Sequence, residues 1–173
     1  MRPRFAGGAV DLRPEEIVRL ERDRVVLLDQ RRLPDEEIEV ECRSAQEVAD
    51  AIRTMVVRGA PAIGVAAAMG IALGMRRSKA TGTRQYTTEF QKTCDLMAGT
   101  RPTAVNLFWA IERMKGAFSR AALAGDSVAA ITAALEAEAK LVHDEDVASC
   151  KAMGAHGATL VPAEAKIETS DLP

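Results

Sequence analysis

The stretch SAQEVADAIRTMVVRGAPAIGVAAAMGIALGM, residues 44–75, decides the fold. Ser44 followed by Glu47 has the form of a capping box, in which each side chain satisfies a free backbone donor at a helix start. Val48, Ile52 and Met55 then share one face, so a helix is expected from about Ala45 to Val56. Arg58-Gly59-Ala60-Pro61 breaks that pattern. Pro61 suits a first helical turn, where its missing N–H removes no bond, and a second helix should run from there towards Met75. Ala62, Gly64, Ala66, Ala67, Ala68 and Gly70 leave this second helix almost no bulky or polar group on any side, so it must be buried. Glycine inside a helix is less favourable than alanine by about 1 kcal/mol. Keeping Gly64 and Gly70 therefore implies that another backbone approaches there, and close packing explains them better than ligand contact does.

Towards the N-terminus, Val25 to Leu28 is continuously apolar, while Ile38, Val40 and Cys42 alternate with glutamates. These are two strands, Arg24–Gln30 and Glu37–Cys42, joined by a turn through Pro34 and Asp35. Towards the C-terminus, Tyr86, Phe90, Cys94 and Met97 mark a third helix that Gly99 stops. Val105, Phe108, Ile111, Glu112, Met114 and Phe118 mark a fourth, with its stripe turned to the core. A fifth starts near Asp126 or Ser127, turns Val128, Ile131, Leu135 and Val142 inward, and ends before Gly154. Thr159–Val161 then reads as a lone strand whose partners must come from elsewhere. The expected architecture is α+β and mainly helical, a small antiparallel sheet followed by a bundle of about five helices. The helical body is expected over residues 1–154, with 155–173 as a cut-off or frayed tail.

Composition narrows the function. The 25 acidic and 23 basic residues nearly cancel, which removes the broad positive field that sequence-independent nucleic-acid binding needs. No apolar run reaches the ~20 residues a bilayer crossing requires, and no secretory leader pattern opens the chain. A cytoplasmic protein with neither nucleic-acid nor membrane partner is expected. Cys42, Cys94 and Cys150 are widely spaced, without a CxxC pair, and read as reduced residues rather than metal ligands. His143 stands among Asp144, Glu145 and Asp146, but consecutive helical residues diverge, so a solvated acidic face is expected instead of a metal centre. Walker and GxGxxG patterns are both missing, and no cofactor is expected.

Two places carry anion chemistry. Arg58-Gly59-Ala60 sits just before the buried helix, where unpaired N–H donors and a partial positive charge face outward and Gly59 lets an oxygen-rich ligand come close. Arg101-Pro102-Thr103 repeats the setting ahead of the fourth helix, with Asn106 one turn along. If those helices pack together, the two guanidinium groups converge on one anion. From the local residues alone, two tight turns with separately ion-paired surface arginines fit as well, and such turns are commoner.

Three stretches taken together go further: LLDQRRLPDEEIEVECRSAQEVADAIRTMVVRGAPAIGVAAAMGIALG (27–74), RPTAVNLFWAIERM (101–114) and DVASCKAMGAHGATLV (146–161). They resemble the methylthioribose-1-phosphate isomerase family, which is related to regulatory subunits of translation initiation factor 2B. The resemblance implies an aldose–ketose isomerisation of a small sugar phosphate in methionine salvage, with substrate held between a helical domain and a Rossmann-like domain. It implies that Arg58, Gly59 and Ala60 bind substrate and that Arg101 contacts its phosphate. It covers roughly Val25 to Val161, the first part of such a protein. It makes residues 1–154 a substrate-binding domain and 155–173 the start of a Rossmann-like domain. The family's catalytic cysteine lies in a motif after the third stretch, where this chain reads Lys166 to Pro173, and its catalytic aspartate lies later still. The 173 residues are thus expected to lack isomerase activity alone, and to work with a second domain or as a homo-oligomer.

Overall fold

The computed structural model describes residues 13–162, in the order α1 (Pro14–Ile17), β1 (Val18–Leu20), β2 (Val25–Leu28), β3 (Glu39–Cys42), α2 (Ala45–Arg53), α3 (Ala60–Arg76), α4 (Thr83–Ala98), α5 (Val105–Leu123) and α6 (Val128–Ala158). The helix read from residues 61–75 is the axis of the molecule. Every residue of α3 from Ile63 to Leu73 is buried, because the other long helices pack around it. Its glycines mark the closest contacts. A Cβ on Gly64 would lie 2.8 Å from the Asn106 carbonyl oxygen of α5, so a backbone does approach there. At Gly70 the neighbours are side chains instead, Val48 of α2 and Met97 of α4.

The sheet is antiparallel, in the order β1-β2-β3, with Val18 opposite Leu27 and Val25 opposite Cys42. Its middle and last strands are the expected pair. The first strand and α1 are additions, too short and too charged to stand out. Strand β2 is wholly buried, whereas β3 alternates exposed glutamates with Val40 and Cys42.

Ser44 Oγ accepts the Glu47 N–H at 3.2 Å, and the Glu47 carboxylate accepts the Arg43 N–H. This start of α2 therefore follows the expected pattern, except that the glutamate reaches one residue further back. The helix stops three residues earlier than its periodicity predicts. Met55 turns into the left-handed region at φ 62°, and the Val56 N–H bonds the Ala51 carbonyl at 2.9 Å. That bond is the closing contact of a Schellman motif. Val56 and Val57 then bury themselves, and Gln30 donates to the Val56 carbonyl at 2.9 Å. The chain leaves this anchor directly into Arg58.

Tyr86, Phe90, Cys94 and Met97 face inward on α4, and Phe90 stacks on Phe118 of α5 with ring centroids 4.2 Å apart. The buried stripe of α5 keeps Ile111, Met114 and Phe118 of the expected one but not its other members. Leu107, Ala110, Ile111, Met114, Ala117, Phe118 and Ala121 point inward, while Val105, Phe108 and Glu112 are exposed. Small alanines take the inner positions because α3 lies so close. Helix α6 is capped by Ser127, whose Oγ accepts the Ala130 N–H at 3.2 Å, and it buries Ile131, Leu135, Ala139 and Val142. It does not end before Gly154 but continues to Ala158, and the lone strand at 159–161 does not form. The N–H groups of Thr159, Leu160 and Val161 bond the carbonyls three residues back, local partners that a single strand lacks. The expected second-domain segment, 155–173, falls mostly on residues outside those described.

Contacts along the helices fix their directions. Arg76 pairs with Glu136 at the far end of α3, while Val65 and Val142 share a cleft at its start. Arg113 pairs with Glu138 and Glu145, and Arg120 with Glu138. Hence α6 runs antiparallel to both α3 and α5, which are parallel and start at the same end.

Candidate functional site

Helix α3 opens on Gly59, exposed and at φ 95°, a conformation that only glycine adopts without strain. Ala60 is the first helical residue and Pro61 the second; the first full backbone bond runs from the Ile63 N–H to the Gly59 carbonyl at 3.0 Å. No side chain caps this start, and no acidic residue lies in its first turn. Helix α5 is alike in both respects, opening on Ala104 after the turn of Arg101, Pro102 and Thr103. The donors of both first turns therefore keep their positive end of the helix dipole unopposed.

The contact between Gly64 and Asn106 holds these two starts side by side, Gly64 in the second turn of α3 and Asn106 in the first turn of α5. Arg58 is exposed and Arg101 half-buried. Among the described residues, neither guanidinium has a hydrogen bond or ion pair. Arg31, Arg76 and Arg113, by contrast, all hold carboxylates.

An open cleft of about 270 Å³ lies beside the two starts, between α3, α5 and α6. Pro61, Gly64, Val65 and Val142 give it an apolar floor, Trp109 a half-exposed aromatic side, and Asn106 and Ser149 polar edges. Glu145 and Asp146 complete it, with their pKa values shifted in opposite directions. Arg113 grips Glu145 with both terminal nitrogens, Nη2 at 3.0 Å, and these bonds hold the carboxyl below its ordinary pKa. The same guanidinium lies 5.4 Å from the Trp109 ring centroid and bonds Glu138 at 2.5 Å. Burial pushes Asp146 above its ordinary pKa, and His143 opposes that shift only in part.

His143 itself is linked to Asp144, Nδ1 to Oδ1 at 3.1 Å. Among the described residues no three metal-ligating side chains come together. Burial pushes the Cys42 thiol up to about 11 and the Cys94 thiol up to about 12, so both are neutral near pH 7 and poor nucleophiles. Trp109 and Ser149 are cleft residues that the sequence reading passes over, and Asp146 is one that it reads only as part of a solvated acidic face. Their signal was present: Trp109 is the single tryptophan and stands inside the second motif, and Asp146 opens the third.

The chain is 50% identical over 147 residues to the methylthioribose-1-phosphate isomerase of Geobacter metallireducens, and 52% identical over 145 residues to that of Koribacter versatilis. These matches cover 85% and 84% of this chain but 42% and 40% of the relatives. The chain thus spans about two fifths of their length. Among solved structures, 5-methylthioribose 1-phosphate isomerase from Pyrococcus horikoshii OT3 superposes with a TM-score of 0.82 at 38% identity, over 88% of this chain and 42% of that one. The delta subunit of translation initiation factor eIF-2B from A. fulgidus gives 0.69 at 39% identity, over 76% and 37%. No helix among the described residues is long and apolar enough to cross a membrane. With residues 56–170 matching its shared pattern, this chain belongs to the Initiation factor 2 subunit family.

Proposed function

We propose that these residues form the phosphate-binding wall of a methylthioribose-1-phosphate isomerase acting in methionine salvage in the cytoplasm, with no role for nucleic acid or membrane. One observation carries this reading: two uncapped helix starts lie side by side, each preceded by an arginine without a partner among the described residues. Arg58 and Arg101 would neutralise the phosphate, and the Gly59 and Ala60 N–H groups would bond its oxygens.

Aldose–ketose isomerisation moves hydrogen between adjacent carbons and needs a positioned acid and base. The carboxylates of the cleft do not supply such a pair, because Glu145 is already bound to Arg113. The two buried thiols are neutral. We assign the acid and base to a second polypeptide segment, or to a second copy, that closes the opposite side.

The test mixes the purified 173-residue chain with the separately expressed remainder of the Geobacter metallireducens relative. The chain alone should give no turnover of methylthioribose 1-phosphate, and the mixture should isomerise it. Arg101→Ala should lower the rate of the mixture on the order of 10–100-fold, the equivalent of the ~1.5–3 kcal/mol of a hydrogen bond to a charged group. Turnover by the isolated chain would refute the division of labour. Likeness to the initiation-factor subunit favours a second reading, a sugar-phosphate-binding regulatory domain without catalysis. Binding without isomerisation in the mixture would select it.

A further inference from the structure

We infer that the cleft beside the two helix starts is a tail-specificity subsite, in which Trp109 packs against the uncharged methylthio end of the sugar phosphate and Asp146 excludes a second phosphate. The inference rests on the sugar-phosphate reading above and goes beyond it by assigning the end of the substrate remote from the arginines.

Length is the first ground. Ala60 offers its N–H at the mouth of α3, and Val65 lines the cleft five residues on, which is about 7.5 Å along a helix axis. That matches a pentose carrying one group at each end. A phosphate held at the helix starts would place its far carbon among Val65, Val142 and Trp109.

Chemistry is the second ground. A thioether is apolar and polarisable, and it packs well against an aromatic ring. Trp109 supplies the ring, half-exposed and held in place by Arg113. The cleft is also electrostatically wrong for another anion. Among the described residues, Arg113 is the arginine that pairs with a lining residue, and Glu138 and Glu145 already occupy it. No cation bonds Asp146 among the described residues. Burial raises its pKa, and His143 offsets that only in part. A ligand bearing a terminal phosphate would meet a like charge there, whereas a methylthio ligand would not.

The single tryptophan makes the assignment measurable. The 173-residue chain, labelled with nitrogen-15, is titrated with methylthioribose 1-phosphate, ribose 1-phosphate, ribose 1,5-bisphosphate and inorganic phosphate, and the Trp109 indole N–H and the Gly59 and Ala60 amides are followed. All four ligands should move the two amides, and the methylthio ligand alone should shift the indole strongly. Trp109→Ala should weaken the methylthio ligand about tenfold while leaving ribose 1-phosphate unchanged. Asp146→Asn should tighten the bisphosphate about fivefold, as expected for removing one like charge near the surface, without affecting the methylthio ligand. Amide shifts with a silent indole, or an unchanged bisphosphate affinity in Asp146→Asn, would overturn this inference and leave the proposed function standing. Silence at the amides with every ligand would overturn both.

Discussion

Replacing Gly64 by alanine puts a methyl carbon 2.8 Å from the carbonyl oxygen of Asn106, and neither helix can yield without moving backbone. The substitution should therefore destabilise the chain by about 2 kcal/mol, the usual scale of overpacking a close-packed contact. Urea unfolding of Gly64→Ala checks this, and a midpoint equal to the parent's would show that α3 and α5 are not in contact there. Because the same contact sets the two helix starts side by side, phosphate affinity should fall with stability. The need for small residues in α3 was legible from the sequence. What each glycine faces was not, since a backbone neighbour at Gly64 and the side chains of Val48 and Met97 at Gly70 leave the same local pattern.

Among the helices read from the sequence, α6 ends furthest from where the sequence places its end. Gly154 and Gly157 look like stops, yet the helix passes through both, with nothing within 4 Å of a Cβ at either. Val142 is its last buried residue, and nearly everything from Ala148 onward is exposed. Helical geometry here is maintained by the local bonds of the chain. Gly154→Ala should then strengthen the helix by about 1 kcal/mol, since alanine has the higher helix propensity and meets no obstacle. Slower amide exchange over residues 151–158 is the expected readout, with a slight gain in helical ellipticity; faster exchange would contradict an unobstructed helix there. Helices α2 and α4 were legible because their apolar spacing is strong, and α3 because it is apolar on nearly every side. The stripe of α5 was right at Ile111, Met114 and Phe118 and wrong towards its start, because Val105 and Phe108 are large and apolar but exposed, while the buried alanines give little signal. Of the candidate site, the residues proposed to bind the anion were legible as motifs at helix starts, and the cleft was not. It is assembled from α3, α5 and α6 through contacts between residues such as Val65 and Val142, far apart in the chain.

Over the whole molecule, carboxylates act on stability with opposite signs, and pH separates them. Hydrogen bonds from the Arg31 side chain, outweighing burial, hold Asp29 below its ordinary value of 3.8, and Arg113 does the same for Glu145. A depressed folded-state pKa contributes stability above the ordinary carboxylate range, and that stability is lost as pH falls through the folded-state value. Asp146 is the reverse case. Burial raises its pKa, so its ionised form is worse placed in the fold than in the unfolded chain, a penalty complete above the raised value and gone below 3.8. Asp146→Asn removes that penalty while keeping shape and polarity. The variant should unfold at a higher temperature than the parent at pH 7, and the difference should shrink as the pH is lowered and vanish below 3.8. Thermal unfolding of both chains across that range is the measurement, and a variant no more stable than the parent at pH 7 would remove the case for a strained carboxylate. A position where a neutral side chain is better for the fold, yet a charged one stands, is where function and stability are expected to conflict. The same substitution is the one expected to admit a second phosphate, so stability and ligand selectivity should move in opposite directions in a single variant.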